Sequence, residues 1–407
     1  MIFDIIKSII IKKEKYMYKI VEVNNHNLLK KFVNFPVTLY EENPYYVPEL
    51  TSEEMKNLNP KKSVYLKTNL NQCKCFLCLK DDVVVARACG IISNVHNEKT
   101  NSKRIRLSRF DTIEDFEAAK MVIEAVENWG KSMGMDTIHG PLDFNDLGRE
   151  GMLVEGFDHL STFETQYNLP YYSQFLEKLG YQKEVDWLEC LIPVPHEPDK
   201  RNERLAEIVK KRSKLHEVEI KSVNWLIKNY YDEIFDLIDE TYGTLYGTIP
   251  FTPEIRKSLV SQFKLILDKD FVCLIADENG KLAGFGFALP NIARAVQRSK
   301  GRLFPLGWAR ILHSLNNVEV VDMALIGVLP QYQDTGATSI IFNSILKNMC
   351  KRKIKVAETN VQLEENFKSI KLFDPYNPKH KCRRRSYVKS LDGKEIKFHN
   401  AMTNTTT

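Results

Sequence analysis

One stretch near the C-terminal end constrains the fold most, because a buried strand, a polar turn and a helix follow one another directly. The strand is VEVVDMALIGV, residues 318–328, in which β-branched and apolar residues predominate. Pro330 ends it, a polar run follows, and Gly336 precedes a helix with an apolar face at residues 340–346. Such a turn collects unpaired backbone N–H groups at the positive end of a helix dipole. The sequence therefore predicts an anion-binding turn.

The composition is that of a globular protein long enough for two domains. The chain has 407 residues, 43% of them hydrophobic and 27% charged. Its net charge of +5 is too small over this length to indicate nucleic acid, which we do not expect as a partner. Eight cysteines without a secretory signal predict reduced thiols and a cytoplasmic protein.

Three cysteines lie close together in QCKCFLCLK, which raises the question of a metal site. A strand places Cys78 on the opposite face from Cys73 and Cys75. No second cluster of Cys or His in the neighbouring sequence completes four ligands. We therefore expect buried strand thiols and no metal.

The first 16 residues are expected to form a poorly ordered N-terminus, or to reflect a start assigned too far upstream. Their apolar run is interrupted by Asp4 and Lys7 and is about half the length that a membrane-spanning helix needs. The basic residues follow the apolar run, the reverse of a secretory signal. The alternative is a helix on the membrane surface through residues 1–13.

The predicted elements repeat in order along the chain. Each half contains a strand, two helices, a hairpin, a strand, a helix, a strand, a helix and a last strand. This predicts an internal duplication, with domains at residues 17–195 and 215–391. A charged linker, 196–214, joins them, and a tail, 392–407, follows. The expected fold class is α/β (α+β), with mixed β-sheets flanked by helices.

This order, together with the opening stretch, resembles the GCN5-related N-acetyltransferase (GNAT) superfamily, in particular its tandem-domain bacterial members. The pyrophosphate loop of that family reads Arg or Gln, two residues, Gly, one residue, and Gly or Ala. The corresponding residues are Gln333, Asp334, Thr335, Gly336, Ala337 and Thr338. The match holds at Gln333 and Gly336 and fails at Thr338, which limits close approach of the backbone to phosphate. The resemblance implies that these residues, with Ile326 and Val328, bind acetyl-CoA or another acyl-CoA.

A second signature of the family has an Asn that begins a helix and a Tyr seven residues later. In ETNVQLEENFKSIKLF these positions are Asn366 and Phe373. The phenol that often serves as general acid is therefore absent there; Tyr376 or Tyr387 could take its place, or the reaction could proceed without a general acid. The resemblance also implies a bulged strand at residues 324–328, with a free amide that polarises the thioester carbonyl.

Two carboxylates are candidates for the base that takes the proton of the amine. Glu358 lies on the strand expected to diverge from the acyl-donor strand, and Asp322 lies on the donor strand. For each, the alternative is a solvated or capping carboxylate.

The first half resembles the family more weakly and is predicted to be a degenerate domain. Its matching turn has no glycine, and Asp111, Glu114 and Asp115 would repel a pyrophosphate at the helix start. We therefore expect the second half to bind the acyl donor and the first to shape the acceptor site or brace the fold. The loop at residues 139–158 could bind a polar acceptor, and the basic, apolar segment 291–317 either covers the core or forms a lid.

The predicted function is transfer of an acyl group, in the first place acetyl, from acyl-CoA to the amine of a small acceptor. Two alternatives stay open. One is a non-catalytic tandem GNAT module that binds acyl-CoA or a protein partner. The other is an aminoacyl or acyl transferase whose donor is a tRNA or a carrier protein.

Overall fold

The structure, a computed structural model, describes residues 17–67, 70–396 and 398. The segment 1–16 and its possible membrane helix lie outside the described residues, as do residues 399–407 of the expected tail. In the described ranges, no helix is both long and apolar enough to cross a membrane.

The first half contains seven strands and five helices in the described ranges. They are β1 (Tyr18–Glu22), α1 (His26–Leu39), α2 (Thr51–Asn57), β2 (Asn71–Lys80), β3 (Val83–Ser93), α3 (Asn94–Thr100), β4 (Arg104–Thr112), α4 (Phe116–Ser132), β5 (Thr137–Gly140), β6 (Met152–Glu155), α5 (Tyr171–Lys178) and β7 (Gln182–Pro193).

The second half repeats this order, with additional short elements. They are α6 (Lys200–Ser213), β8 (His216–Glu217), α7 (Val223–Tyr242), α8 (Pro253–Phe263), β9 (Val272–Ala276), β10 (Leu282–Pro290), α9 (Ala293–Arg298), α10 (Gly307–Asn316), β11 (Val320–Val328), α11 (Pro330–Gln333), α12 (Ala337–Lys351), β12 (Val356–Thr359), β13 (Gln362–Leu363), α13 (Phe367–Lys371) and β14 (Lys379–Ser390).

The two halves share one mixed sheet because they exchange their last strands. The order along the sheet is β1-β2-β3-β4-β5-β14-β7-β12-β11-β10-β9-β8. β14 of the second half lies between β5 and β7 of the first, and β7 lies between β14 and β12. At this junction the buried Arg384 of β14 pairs with the buried Glu189 of β7. The halves are therefore joined through backbone hydrogen bonds as well as through packing.

Local sequence explains the elements that carry the site. β11 is apolar and partly buried, as a strand between β10 and β12 must be. α12 buries one face, including Ile340, Ile341 and Ile345, against the sheet. The β9–β10 hairpin closes through a turn in which the Asp277 amide donates to the Lys281 carbonyl, 2.9 Å apart. The segment predicted to be a charged linker contains α6, which buries Ala206 and Val209 in the same core as α12.

The fold class and the internal duplication predicted from sequence are confirmed. The predicted bounds of one strand are wrong. The sequence predicts a strand at residues 218–223, but β8 is His216–Glu217, and Val223 is the first residue of α7. The side chain of Ser222 caps that helix by accepting a hydrogen bond from the Trp225 amide. The cap, rather than the β-branched residues before it, decides where the chain changes conformation.

Candidate active site where two strands diverge

β11 and β12 separate at a defined point and leave a cavity between them. They pair in parallel from Val320 and Val356 as far as Met323 and Thr359. Beyond Thr359 the chain turns toward β7, with which β13 pairs, while β11 stays paired to β10. The cavity at the divergence measures about 480 Å³. It is open to ligands along the free edge of β11.

A β-bulge on β11 lies at the start of this free edge. Phe287 of β10 pairs with Leu325, but the next residue, Ala288, pairs with Met323. Ala324 is therefore the extra residue of the bulge, and it lines the cavity. A bulged strand in residues 324–328 is what the GNAT resemblance implies.

The predicted anion-binding turn connects β11 to α12 at one end of the cavity. Gly336 has φ +85° and is the N-cap residue of α12; in the described chain no side chain caps the first turn of this helix. Gln333 Nε2 donates to the Val328 carbonyl at 3.3 Å. Within the predicted set, Ile326, Val328, Gln333 and Thr338 line the cavity, and the remaining residues form the turn itself, namely Asp334, Thr335, Gly336 and Ala337. The turn thus presents backbone amides near the cavity.

The second predicted signature lies on the other wall. Asn366 begins α13, where its side chain accepts a hydrogen bond from the Ser369 amide at 3.3 Å, and it lines the cavity. Phe373 also lines the cavity; it is buried, with its ring 5.4 Å from that of Phe342.

The two tyrosines considered as replacements for the missing phenol lie elsewhere. Tyr387 belongs to the core of the first half and donates to Glu177 at 3.2 Å. The hydroxyl of Tyr376 accepts a hydrogen bond from Asn202. Neither residue lines the cavity as the described chain defines it.

A tyrosine that the sequence did not single out, Tyr242, does reach the cavity. Its hydroxyl accepts from the Ile326 amide at 3.1 Å and donates to the Ile326 carbonyl at 3.0 Å. Burial raises the pKa of Tyr242 to about 12. The sequence gives only its position at the end of a helix, and the contact depends on how α7 packs against β11.

The two predicted carboxylates are neighbours across the paired part of β11 and β12. Asp322 is register partner to Glu358. Asp322 is buried and accepts from Asn291 Nδ2 at 2.8 Å. Burial, and then the charge of Glu358, raise the pKa of Asp322 well above its usual range. Glu358 accepts from the buried Lys381 Nζ at 2.9 Å. In the described ranges, neither carboxylate lines the cavity.

A second cavity, almost wholly apolar, meets the first at the bulge. It lies between α7, α8, β10 and β11 and measures about 140 Å³. Ala324, Leu325, Asn360 and Leu147 line both cavities. The polar side chains at the apolar cavity are few: Glu164, Tyr231, Lys264 and Asn360.

The first half contributes acidic groups to the site from loops. Asp146 and Glu150, in the predicted acceptor loop at residues 139–158, line the larger cavity. Burial raises the pKa of Asp146 to about 6 and that of Glu150 well above its usual range. Glu164, just beyond this loop, lines the apolar cavity. The sequence indicated that the loop could bind a polar acceptor but not which cavity each carboxylate would face.

The helix start in the first half that corresponds to the anion-binding turn is occupied by acidic side chains. Asp115 caps α4 by accepting from the Glu117 and Ala118 amides. Asp111 is buried against Arg87, 2.8 Å away, and Glu114 is exposed. These carboxylates repel an anion at that position.

Two other features singled out in the sequence line neither cavity as the described residues define them. Cys73, Cys75 and Cys89 have Sγ atoms within 4.8 Å of one another, while Cys78 packs in a different core. The absence of metal and the cytoplasmic location stay predictions. In the segment 291–317, α10 buries Ile311 and exposes Trp308.

The comparison with solved structures identifies the fold. The chain is a tandem-domain protein of the GNAT fold. Over 93% of this chain and 100% of the other, it superposes on a tandem GNAT protein from the clavulanic acid biosynthesis pathway with TM-score 0.53 and 9% identity. A GCN5-related glucosamine N-acetyltransferase region of a fungal multi-domain GH3 β-N-acetylglucosaminidase gives TM-score 0.56 and 10% identity, covering 92% of this chain and 38% of that one.

Two curated proteins are similar in sequence, and no family model matches the chain. Protein YghO of Escherichia coli (strain K12) is 27% identical over 355 residues, which cover 84% of this chain and 87% of that protein. The bacterial ceramide synthase of Caulobacter vibrioides (strain NA1000 / CB15N) is 24% identical over 312 residues, which cover 75% of this chain and 79% of that one.

Proposed function

We propose that this protein is an acyl-CoA-dependent N-acyltransferase and that its acceptor is an amine carried on an alkyl chain. The observation that supports this best is the meeting of two unlike cavities at the bulged residue Ala324. One is lined by both polar and apolar side chains and ends at the predicted anion-binding turn, and the other is almost wholly apolar. An acyl donor and an amine with an apolar body would meet where the cavities join.

The larger cavity suits the acyl donor. The amides of the first turn of α12 and the left-handed Gly336 favour the pyrophosphate of CoA at the turn. Ile326 and Val328 would contact the arm that leads from the pyrophosphate to the thioester, and Gln333 and Thr338 would flank the turn. CoA supplies an activated acyl group as its thioester, and the chain supplies anchorage and orientation.

The apolar cavity suits an alkyl chain. Its lining from α7 and α8 consists almost entirely of aliphatic and aromatic side chains, which gain from removing apolar surface from water. One similar protein is named a bacterial ceramide synthase, and a ceramide is the N-acylated form of a long-chain amine. This name and the cavity favour a lipid-like amine over a fully polar acceptor.

The chemistry needs stabilisation of the developing oxyanion and removal of a proton from the amine. A backbone amide at the bulge around Ala324 is the proposed oxyanion donor. Asp322 and Glu358 are proposed to set the charge next to the reacting atoms, and Asn366 to fix the wall formed by α13. Orientation by the two cavities lowers the entropic cost of bringing the reactants together.

The test is the release of CoA thiol from acetyl-CoA and from long-chain acyl-CoA, with short-chain and long-chain amines as acceptors. We expect amine-dependent release that is greater with long-chain amines. Val260→Trp, which fills the apolar cavity, should impair reaction of long amines more than that of short ones. Lys257→Trp, on the exposed side of the same helix, is the matched control.

The same assay separates the alternatives. CoA binding without amine-dependent release would favour the non-catalytic module. Transfer that requires an aminoacyl-tRNA or an acylated carrier protein, and does not occur with acyl-CoA, would favour the third function.

A further inference from the structure

We propose that Glu164, contributed by the first half of the chain, is the general base that takes the proton of the acceptor amine. This role rests on the proposed function. It gives the half that lacks an anion-binding turn a direct part in the reaction.

The position of Glu164 follows from Asn360, the first residue after β12. The Asn360 amide donates to the Met323 carbonyl at 3.2 Å, which fixes it where β11 and β12 cease to pair. Its side-chain Nδ2 lies 3.5 Å from Glu164 Oε2. Asn360 lines both cavities, and Glu164 lines the apolar one, as does the bulged Ala324. Glu164 is therefore near the place where a chain-borne amine would reach the thioester carbonyl.

The carboxylate of Glu164 is little engaged by other groups. In the part of the chain that the structure describes, Asn360 supplies its one hydrogen bond, and no ion pair is formed with it. Burial raises the pKa of Glu164 to about 7. A general base is most effective when its pKa is near the working pH, because it is then both ionised and basic.

Charged groups face Glu164 from several elements. Lys264, the residue after α8, lines the same cavity, and Asp322 of β11 is close enough for the charge of Glu164 to raise the pKa of Asp322. On the other side, a third cavity is lined by Glu164 together with Arg149 and four acidic residues: Glu49, Glu53, Glu54 and Asp143. Burial, rather than any of these charges, is the cause of the raised pKa of Glu164.

The other carboxylates near the divergence are less suited to this task. Glu358 is held by Lys381 and, like Asp322, lies outside both cavity linings as far as the described residues define them. Asp146 and Glu150 line the larger cavity but not the apolar one. They are the rival bases that an experiment must exclude.

The reaction step balances without a further reactant. The lone pair of the amine attacks the thioester carbonyl carbon, which forms the C–N bond, and the C–S bond breaks with the electron pair leaving on sulfur. Glu164 takes one proton from the nitrogen and passes it to the thiolate or to solvent. Amine and thioester become amide and thiol.

The experiment compares Glu164→Gln with Asp146→Asn, with Glu150→Gln and with Glu42→Gln, an exposed glutamate in the same half. Transfer from acyl-CoA to a long-chain amine is measured between about pH 5 and pH 9, CoA affinity by calorimetry, and folding by thermal melting. We expect Glu164→Gln to lower kcat about 100-fold or more and to remove the ionisation near pH 7 from the rate profile. CoA affinity should be unchanged. The amine itself titrates near pH 10, so the two ionisations are distinguishable.

The outcomes separate the base assignment from the function. A near-parental rate and pH profile in Glu164→Gln, with an active parent, would overturn Glu164 as base and leave the transferase standing. Loss of the pH 7 ionisation in Asp146→Asn or in Glu150→Gln instead would also overturn it. An inactive parent that binds CoA would remove the function and the base together. If Glu164→Gln does not fold, Glu164→Asp replaces it, and retention of the ionisation at a reduced rate is then the expected result.

Discussion

The hydroxyl of Tyr242 makes two hydrogen bonds to one residue of the diverging strand, accepting from the Ile326 amide and donating to the Ile326 carbonyl, at 3.1 and 3.0 Å. These backbone groups point away from β10 toward the larger cavity. The Tyr242 side chain therefore satisfies the hydrogen-bonding groups of Ile326 on the side of β11 from which β12 has turned away.

Tyr242→Phe should make stability more dependent on the acyl donor. Without the hydroxyl, the Ile326 amide and carbonyl lose their partner, which we expect to cost about 1–3 kcal/mol in the free protein. An acyl donor along β11 could bond to the same groups, so CoA should raise the melting temperature more in the variant than in the parent. Tyr230→Phe, on the same helix, is the control. Weaker CoA binding in Tyr242→Phe would mean that the hydroxyl contacts the donor itself.

Gly336→Asp and Gly336→Asn form a matched pair for the anion-binding turn. Asn and Asp tolerate the left-handed conformation better than other residues with side chains, so both variants should lose similar, small amounts of stability. An added Cβ would lie 3.3 Å from Val209 Cγ2, a close contact common to both. Only the aspartate repels a pyrophosphate, and we expect it to weaken CoA binding at least tenfold more than the asparagine, as measured by calorimetry. Equal affinities would contradict CoA binding at this turn.

Glu164→Gln should change how stability depends on pH. The pKa of about 7 in the folded state exceeds the usual value for Glu, so the folded state holds this proton more tightly. That contribution to stability is present below about pH 4 and is lost as pH rises through 7. The variant lacks it, so its stability relative to the parent should rise by roughly 1–3 kcal/mol between pH 4 and pH 8.

Urea unfolding of the parent, Glu164→Gln and Glu42→Gln at the two pH values measures this difference. A constant gap between parent and Glu164→Gln would mean that Glu164 titrates normally. The rate measurements and this experiment use independent readouts of the same carboxylate.

Glu358→Gln should slow transfer at least tenfold, about 1.4 kcal/mol of barrier. The charge of Glu358 helps to raise the pKa of Asp322, so its removal lets the buried Asp322 ionise more readily. If the loss arises in this way, the double variant Glu358→Gln/Asp322→Asn should recover part of the rate, because the asparagine stays neutral. Both effects are measured as rates of transfer from acyl-CoA, in the single variant and in the double variant. Full activity in Glu358→Gln would remove this residue from the mechanism.

Local features of the chain could be predicted from sequence, and contacts between distant segments could not. The strand, turn and helix around Gly336 are determined by residues that are close together in the sequence. The repeated order of elements was enough to indicate the fold. Glu164 and Asn360 are 196 positions apart, and their contact depends on the shared sheet. Tyr242 likewise meets Ile326 only through the packing of α7. The sequences of β7 and β14 are compatible with strands but do not specify which neighbours they pair with.

The exchange of β7 and β14 has a consequence for proteolytic cleavage of the chain. Cleavage between residues 195 and 199 would give two polypeptides, each of which still has one strand inserted in the sheet of the other. The fragments would remain interlocked under native conditions, and neither would retain a complete sheet if the other were taken away. For this protein, we therefore expect the pair of halves, rather than either half alone, to be the folding unit.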